Sequence, residues 1–198
     1  KKKGEEDKAR ASTTDPEARI MKMADAGYRP AFNVQFATAT NSRVITSVIV
    51  TNSGSDQGQL VPMLEQLKGQ YDQTPKELLA DGGFAKRKDI EQLRQAGTTV
   101  YAPVMKSKDP NRDSHTPLPN DSPAVAEWRR RMSTAEAKAI YKERASTAEW
   151  VNAMARNRGM QQFLVRGLQK VKAVVLWFVL AHNMMRVVSL RAAAIKTM

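Results

Sequence analysis

The chain of 198 residues has no cysteine and only two histidines. Without thiols there is no disulfide framework and no thiolate metal site. His115 and His182 stand in no metal-ligand spacing; His115 falls in a loop, and His182 follows an apolar helix and reads as a satisfied interior or boundary residue. No phosphate-cradling Gly-rich loop, nucleophile elbow or zinc spacing is present. No secretory signal is visible. The longest apolar run, AVVLWFVLA over residues 173–181, is too short to span a bilayer and is expected to be a buried helix. The chain opens on KKKGEEDKAR, charged, poor in apolar residues and without an initiator Met. Residues 1–11 are therefore expected to be the end of an upstream insertion in a longer protein, of which this is a C-terminal fragment. Residues 12–198 are expected to form one soluble, intracellular domain with a real core.

What the chain has is positive charge. Its 32 Lys and Arg against 20 Asp and Glu leave +12. From residue 122 onward there are 14 Lys and Arg against 4 Asp and Glu; the first 121 residues hold 18 against 16. The basic half attracts polyanions, most simply nucleic acid. A merely solubilising face of Lys and Arg is the alternative.

Residues 32–37 alternate apolar and polar side chains, and residues 44–50 (VITSVIV) are β-branched, which predicts an antiparallel hairpin turning at Asn41-Ser42. Upstream, Pro16 ends any regular element at Asp15, a cap or turn residue, and residues 17–23 are expected to form one or two helical turns. Ser55 or Asp56 caps a helix predicted over residues 57–71, with Leu60, Met63, Leu64 and Leu67 inward. A short strand (ELLA, 77–80), a helix over 86–96 closed by Gly97, and a strand (TTVYA, 98–102) follow. Two strands joined through a helix predict a parallel pair beside the hairpin, hence an α/β mixed sheet with helices on its faces. Residues 106–121, rich in Pro, Asp, Asn and Ser, form a long surface loop of a kind that is often functional. Beyond it the chain is helical: one helix from Ser122-Pro123 to Arg131, one capped by Ser133 or Thr134 and running to Gly159, and a last one over 171–194 whose apolar centre must pack on the sheet or on a partner.

Two acids stand out. Asp81 ends a strand and precedes Gly82-Gly83, where a carboxylate commonly points into a site and where glycine lets a phosphate come close. A turn Asp bonded to its own backbone fits the spacing equally well. Glu149 lies in YKERASTAEWVNAMAR, which holds one other acid, Glu143; it stands among Lys142, Arg144, Arg156 and Arg158, with Asn152 and Arg156 on its helical stripe and Tyr141 about a quarter-turn away. The common fate of such a Glu is an ion pair on a solvated face. Carboxylates converging from a strand end and a helix would suit Mg²⁺ or Mn²⁺ beside substrate phosphate.

The blocks TTDPEARIMKMADAGYRPAFNVQFATAT, VTNSGSDQGQLVPMLEQL, ADGGF and YKERASTAEWVNAMARNRGMQQFLVRGLQKV resemble bacterial insertion-sequence transposases of the DDE type. The resemblance runs from about residue 12 to 194. It implies an RNase H-like fold, incomplete here because its first strand is missing, with flanking helices and a helical C-terminal part. It implies metal-dependent cleavage and strand transfer of DNA, with Mg²⁺ or Mn²⁺ as cofactor. Asp81 matches the family's second Asp and Glu149 its Glu; both would be catalytic metal ligands. Tyr141, Arg144 and Arg156 match a signature of Tyr, Arg and a basic residue more often Lys, and with Asn152 they would contact DNA. The family's first Asp is expected upstream of residue 1; Asp15 and Asp56 are the only substitutes within the chain, and neither is favoured. The fragment is thus expected to bind DNA weakly and not to catalyse alone. The partners implied are transposon ends, target DNA and a second copy on the DNA, with no membrane, in the bacterial cytoplasm at the nucleoid. A catalytically incomplete DNA-binding remnant and an RNase H-like nuclease are the alternatives.

Overall fold

A computed structural model describes residues 12–23, 25–107 and 109–196. The reading of residues 1–11 as an insertion end lies outside them. In chain order the elements are β1 (Arg19–Lys22), β2 (Tyr28–Ala31), β3 (Asn33–Thr38), β4 (Ile45–Thr51), α1 (Leu60–Tyr71), β5 (Glu77–Leu79), a 3₁₀ turn (Gly82–Phe84), α2 (Arg87–Gln95), β6 (Thr99–Tyr101), α3 (Pro123–Ser133), α4 (Ala135–Arg144), a π turn (Ala145–Glu149), α5 (Trp150–Asn157) and α6 (Leu168–Lys196). The fold is mixed α/β. It divides into two compact units, one of Lys1–Phe36, Val48–Gly54 and Ala153–Met198, the other of Ala37–Ser47 and Ser55–Asn152.

The second unit is built on β5 and β6, which pair in parallel with Glu77 opposite Thr99 and Leu79 opposite Tyr101. Alternation along β6 sends neighbours to opposite faces. Val100 joins Leu60, Leu64, Ala80, Leu93 and Ala102 in one cluster. Tyr101 joins Ile90, Val125, Trp128, Met132 and Ala137 in another. Both faces of the pair are thus covered, and each large apolar side chain buried there contributes about 1.5–3 kcal/mol. Trp128, buried, still satisfies its indole N–H by donating to the Ala102 carbonyl at 3.0 Å.

Helix starts follow the expected caps in two cases. The Ser122 hydroxyl accepts from the Val125 N–H ahead of Pro123, and the Thr134 hydroxyl accepts from the Ala137 N–H. Gly97, at φ +83°, stands just past the end of α2. The start of α1 corrects the expectation. It begins at Leu60, because Gly58 at φ +83° breaks the helical path, and the Asp56 carbonyl accepts from the Gln59 N–H. The carboxylate that meets the Leu60 N–H belongs to Asp89, on α2.

In the first unit, residues 17–23 are not helical. β1 and β2 form an antiparallel hairpin with Arg19 opposite Ala31 and Lys22 opposite Tyr28. The turn is locally self-sufficient: the Asp25 carboxylate accepts from the Gly27 N–H and pairs with Arg29, and Ala26 takes φ +62°. Asp15 is a cap, but of α6: its carboxylate accepts from the Gly167 N–H, and that of Glu17 accepts from the Leu168 N–H. The apolar face of the β3–β4 hairpin, with Phe32, Val34 and Phe36, packs on Val171 and Val175 of α6.

Two further expectations are corrected. The strands form three separate two-stranded sheets among the described residues, not one mixed sheet. Strands of three residues give β5 and β6 little edge to extend. And α6 is not a buried helix. Only Val171, Val175 and His182 are buried along it, while Trp177 is 71% exposed and Leu180, Met184 and Val188 are exposed too. The run over 173–181 is the middle of a 29-residue helix that is long and apolar enough to cross a membrane by length and composition.

Candidate active site

Asp81 follows β5 directly, at the C-terminal edge of the parallel pair, where the Ala80 N–H still donates to the Tyr101 carbonyl. Its side chain does two things. Oδ1 accepts from the Gly82 N–H at 2.6 Å, which fixes the 3₁₀ turn, and Oδ2 accepts from Arg144 Nη2 at 3.1 Å. Asp81 thus bonds the backbone of its own turn and, with its other oxygen, meets a side chain 63 positions away in sequence. Gly82 and Gly83 are not forced by space: a Cβ at Gly82 would lie 3.7 Å from the Pro103 carbonyl oxygen, and one at Gly83 3.8 Å from Asp56 Oδ2. Neither glycine has a positive φ.

Glu149 does not sit on a regular α-helix. The helix expected from residue 134 to 159 is interrupted by the π turn Ala145–Glu149. In an α-helix, side chains five apart point about 140° away from one another. In a π turn the repeat is i to i+5, and the two share a face. Arg144 and Glu149 are five apart, and Arg144 Nη1 donates to Glu149 Oε1 at 3.1 Å. One extra residue in the turn thus aims Glu149 at the group that holds Asp81. The next residue, Trp150, lies under the Arg43 guanidinium at 5.2 Å, which ties the start of α5 to the hairpin turn.

Asp81, Arg144 and Glu149 form one cluster: two carboxylates, 68 positions apart in sequence, on the two arms of one guanidinium. The acids are open to solvent, at 58% and 60% side-chain exposure, and Arg144 is more enclosed at 21%. Tyr141, one turn before Arg144, completes it. Burial pushes the Tyr141 phenol above its ordinary range, helped by the nearby Asp81 and Glu149 charges, while Arg144 pulls the other way by charge and hydrogen bond. At neutral pH the phenol keeps its proton.

The donor chemistry suits a divalent cation. Carboxylate oxygens are what Mg²⁺ and Mn²⁺ prefer, and two of them with open positions is a common provision. That these two already hold a cation, the guanidinium, is the observation behind the fit. Among the described residues no group of three or more His, Cys, Asp or Glu could hold a metal. Asp56 lies beside the same Gly82-Gly83 turn, and Asp15 is engaged at the start of α6.

Asn152 is exposed on α5. Arg156, in the first unit, is exposed as well, with its carbonyl accepting from Gln161. Sequence reasoning placed Arg144 against DNA and missed its hold on both acids; the i, i+5 spacing of Arg144 and Glu149 was the available signal.

A family model described as the transposase DDE domain matches residues 7–160, more than half of the chain. No curated protein and no solved structure matches.

Proposed function

The chain belongs to the transposase DDE domain family, and from that premise we propose that it carries the RNase H-like catalytic core of an insertion-sequence transposase, cleaving and joining DNA strands with a divalent metal. The observation that carries this reading is the convergence of Asp81 and Glu149 on one guanidinium. Asp81 and Glu149 are the residues that would hold Mg²⁺ or Mn²⁺. Bound there, the ion supplies activation of an attacking oxygen and stabilisation of the leaving one. Arg144, released from the acids, presents a planar fork suited to a phosphate. Tyr141 donates its phenol proton in a hydrogen bond to the same phosphate. Asn152 extends the DNA contact on the second unit, and Arg156, on the first, is a DNA contact of its own.

The test is Mn²⁺ titration followed by amide NMR. Line broadening should centre on Gly82, Gly83 and the 145–149 turn, and Glu149→Gln should abolish it. Broadening confined to other acids would overturn the assignment. One observation favours a second reading, a catalytically incomplete DNA-binding remnant: no third acid joins the pair among the described residues. Mn²⁺-dependent nicking of plasmid DNA, lost in Glu149→Gln, separates the two, and analysis of whether cut ends are joined or only released separates a transposase from a nuclease.

A further inference from the structure

Away from the two acids, the second unit holds a hollow of about 280 Å³ between the loop that follows β6 and helices α2 and α3. Four cations line it: Arg87, Lys106, Arg112 and Arg129. No acid does. We propose that this hollow binds a phosphodiester of the DNA strand, as an anchor distinct from the Asp81–Glu149 pair; the proposal rests on the reading of the chain as a DNA-processing core.

The charge survives a local accounting. Asp121, whose side chain is wholly inaccessible, pairs with Arg129 at 2.7 Å and faces Arg87 at 3.5 Å. It neutralises about one of the four cations. The other acids of the loop face their own backbone. Asp109 accepts from the Asn111 N–H, and Asp113 accepts from the His115 N–H and pairs with that ring. The Arg112 guanidinium donates to the Thr116 carbonyl and has no acid as an ion-pair partner among the described residues. Lys106 is exposed at the rim.

The hollow is also built, not incidental. Burial alone would raise the Asp121 carboxyl, yet the Leu118 N–H, Arg129 and Arg87 together hold it below the usual range. Arg129, itself buried, donates to the Ser114 carbonyl at 2.8 Å as well as to Asp121. A buried ion pair is a poor way to gain stability, since desolvation offsets most of the attraction. Here it does something else: it clamps both limbs of the loop to α3 and fixes the mouth of the hollow. Val104 and Trp128 give it an apolar wall, which excludes water and strengthens the field on a bound phosphate. Its position suits a strand running past Asp81. Ala85, next to the 3₁₀ turn, lines it, and Pro103, before the loop, lies against Gly82.

The experiment is fluorescence anisotropy of a labelled DNA duplex against the chain across a salt titration. Variants are Lys106→Gln with Arg112→Gln, and Lys106→Gln alone, each checked by thermal melting. A phosphate contact contributes about 0.9 to the slope of log affinity against log salt. The double variant should bind more weakly and show a slope shallower by about 2, the single variant by about 1. Wild-type affinity and slope in variants that fold would overturn the proposal and leave the reading of the carboxylate site standing. Absence of salt-dependent DNA binding in the wild-type chain would overturn both.

Discussion

Arg144→Gln isolates what the shared guanidinium does. The substitution removes the charge and leaves a shorter, neutral polar side chain. Its stability cost is small, because both carboxylates are more than half exposed. Exposed ion pairs contribute about 0.2–1 kcal/mol each, so losing both lowers the unfolding free energy by about 0.5–2 kcal/mol. The effect on metal binding has the opposite sign. Arg144 competes with any cation for the same two oxygens, and unit charges about 4 Å apart in water-like surroundings attract by about 1 kcal/mol. Removing that competitor from both acids favours a divalent ion by up to about 2 kcal/mol, or roughly 30-fold in Kd. Mn²⁺ binding followed by electron paramagnetic resonance at low ionic strength, beside urea unfolding, reads both quantities. The expected pattern is a slightly lower urea midpoint with tighter Mn²⁺. Arg144→Lys should fall between, since one ammonium lacks the fork that reaches both acids. Mn²⁺ affinity that is unchanged or weaker in Arg144→Gln would refute the reasoning, for it would mean that the guanidinium does not occupy the cation position.

Two other perturbations follow from the same geometry and its supports. Deleting the exposed Ser146 removes one residue from the π turn. At about 100° per residue, Arg144 and Glu149 would then stand four apart on one face of a regular α-helix, about 40° from alignment; Mn²⁺ binding and the helical circular dichroism signal should both persist, and lost Mn²⁺ binding would sink the reading of the turn as the accommodation of one extra residue. Asp89 is buried, and burial raises its carboxyl pKa while Lys86, the Leu60 N–H and Lys88 pull it down. A raised acid binds its proton more tightly in the native state, so its contribution to stability falls as pH climbs from the unfolded value of about 3.9 through the folded one. Asp89→Asn cannot ionise and should gain on the wild type between acid and neutral pH; a difference in urea midpoint that does not change with pH would contradict this.

Much of the second unit could be read directly from residues. ELLA and TTVYA flank a helix with Ile90 and Leu93 inward, and the right pairing followed, because short apolar runs joined by a helix leave a parallel crossover as the simple solution. Ser122 and Thr134 announced their helices because a cap acts within three residues. The failures share a cause of the opposite kind. The cap of α1 comes from Asp89 and those of α6 from Asp15 and Glu17, all distant in sequence, so local spacing credited Asp56 with work done elsewhere. The hairpin of β1 and β2 beat a helix because Asp25 and Gly27 close a turn that the apolar pattern of seven residues cannot reveal.

The candidate site shows where reading by residue type stops. Asp81, Tyr141, Arg144 and Glu149 were identifiable as chemistry, and the two acids were expected to meet, but the place of Arg144 between them was not legible, since an α-helical wheel puts Arg144 and Glu149 about 140° apart. The π turn closes that gap at a cost. It gives up regular i to i+4 bonding over Ala145–Glu149, and the Thr147 hydroxyl turns back to the Glu143 carbonyl within it. No apolar packing requires such a turn, for of its five residues only Thr147 is buried. What it does achieve is an acid and a guanidinium on one face, with Asp81 brought to the same guanidinium from a strand end. A local departure from regular helix that serves no core and aligns three charged groups is better explained by what those groups hold than by the stability of the helix that carries them.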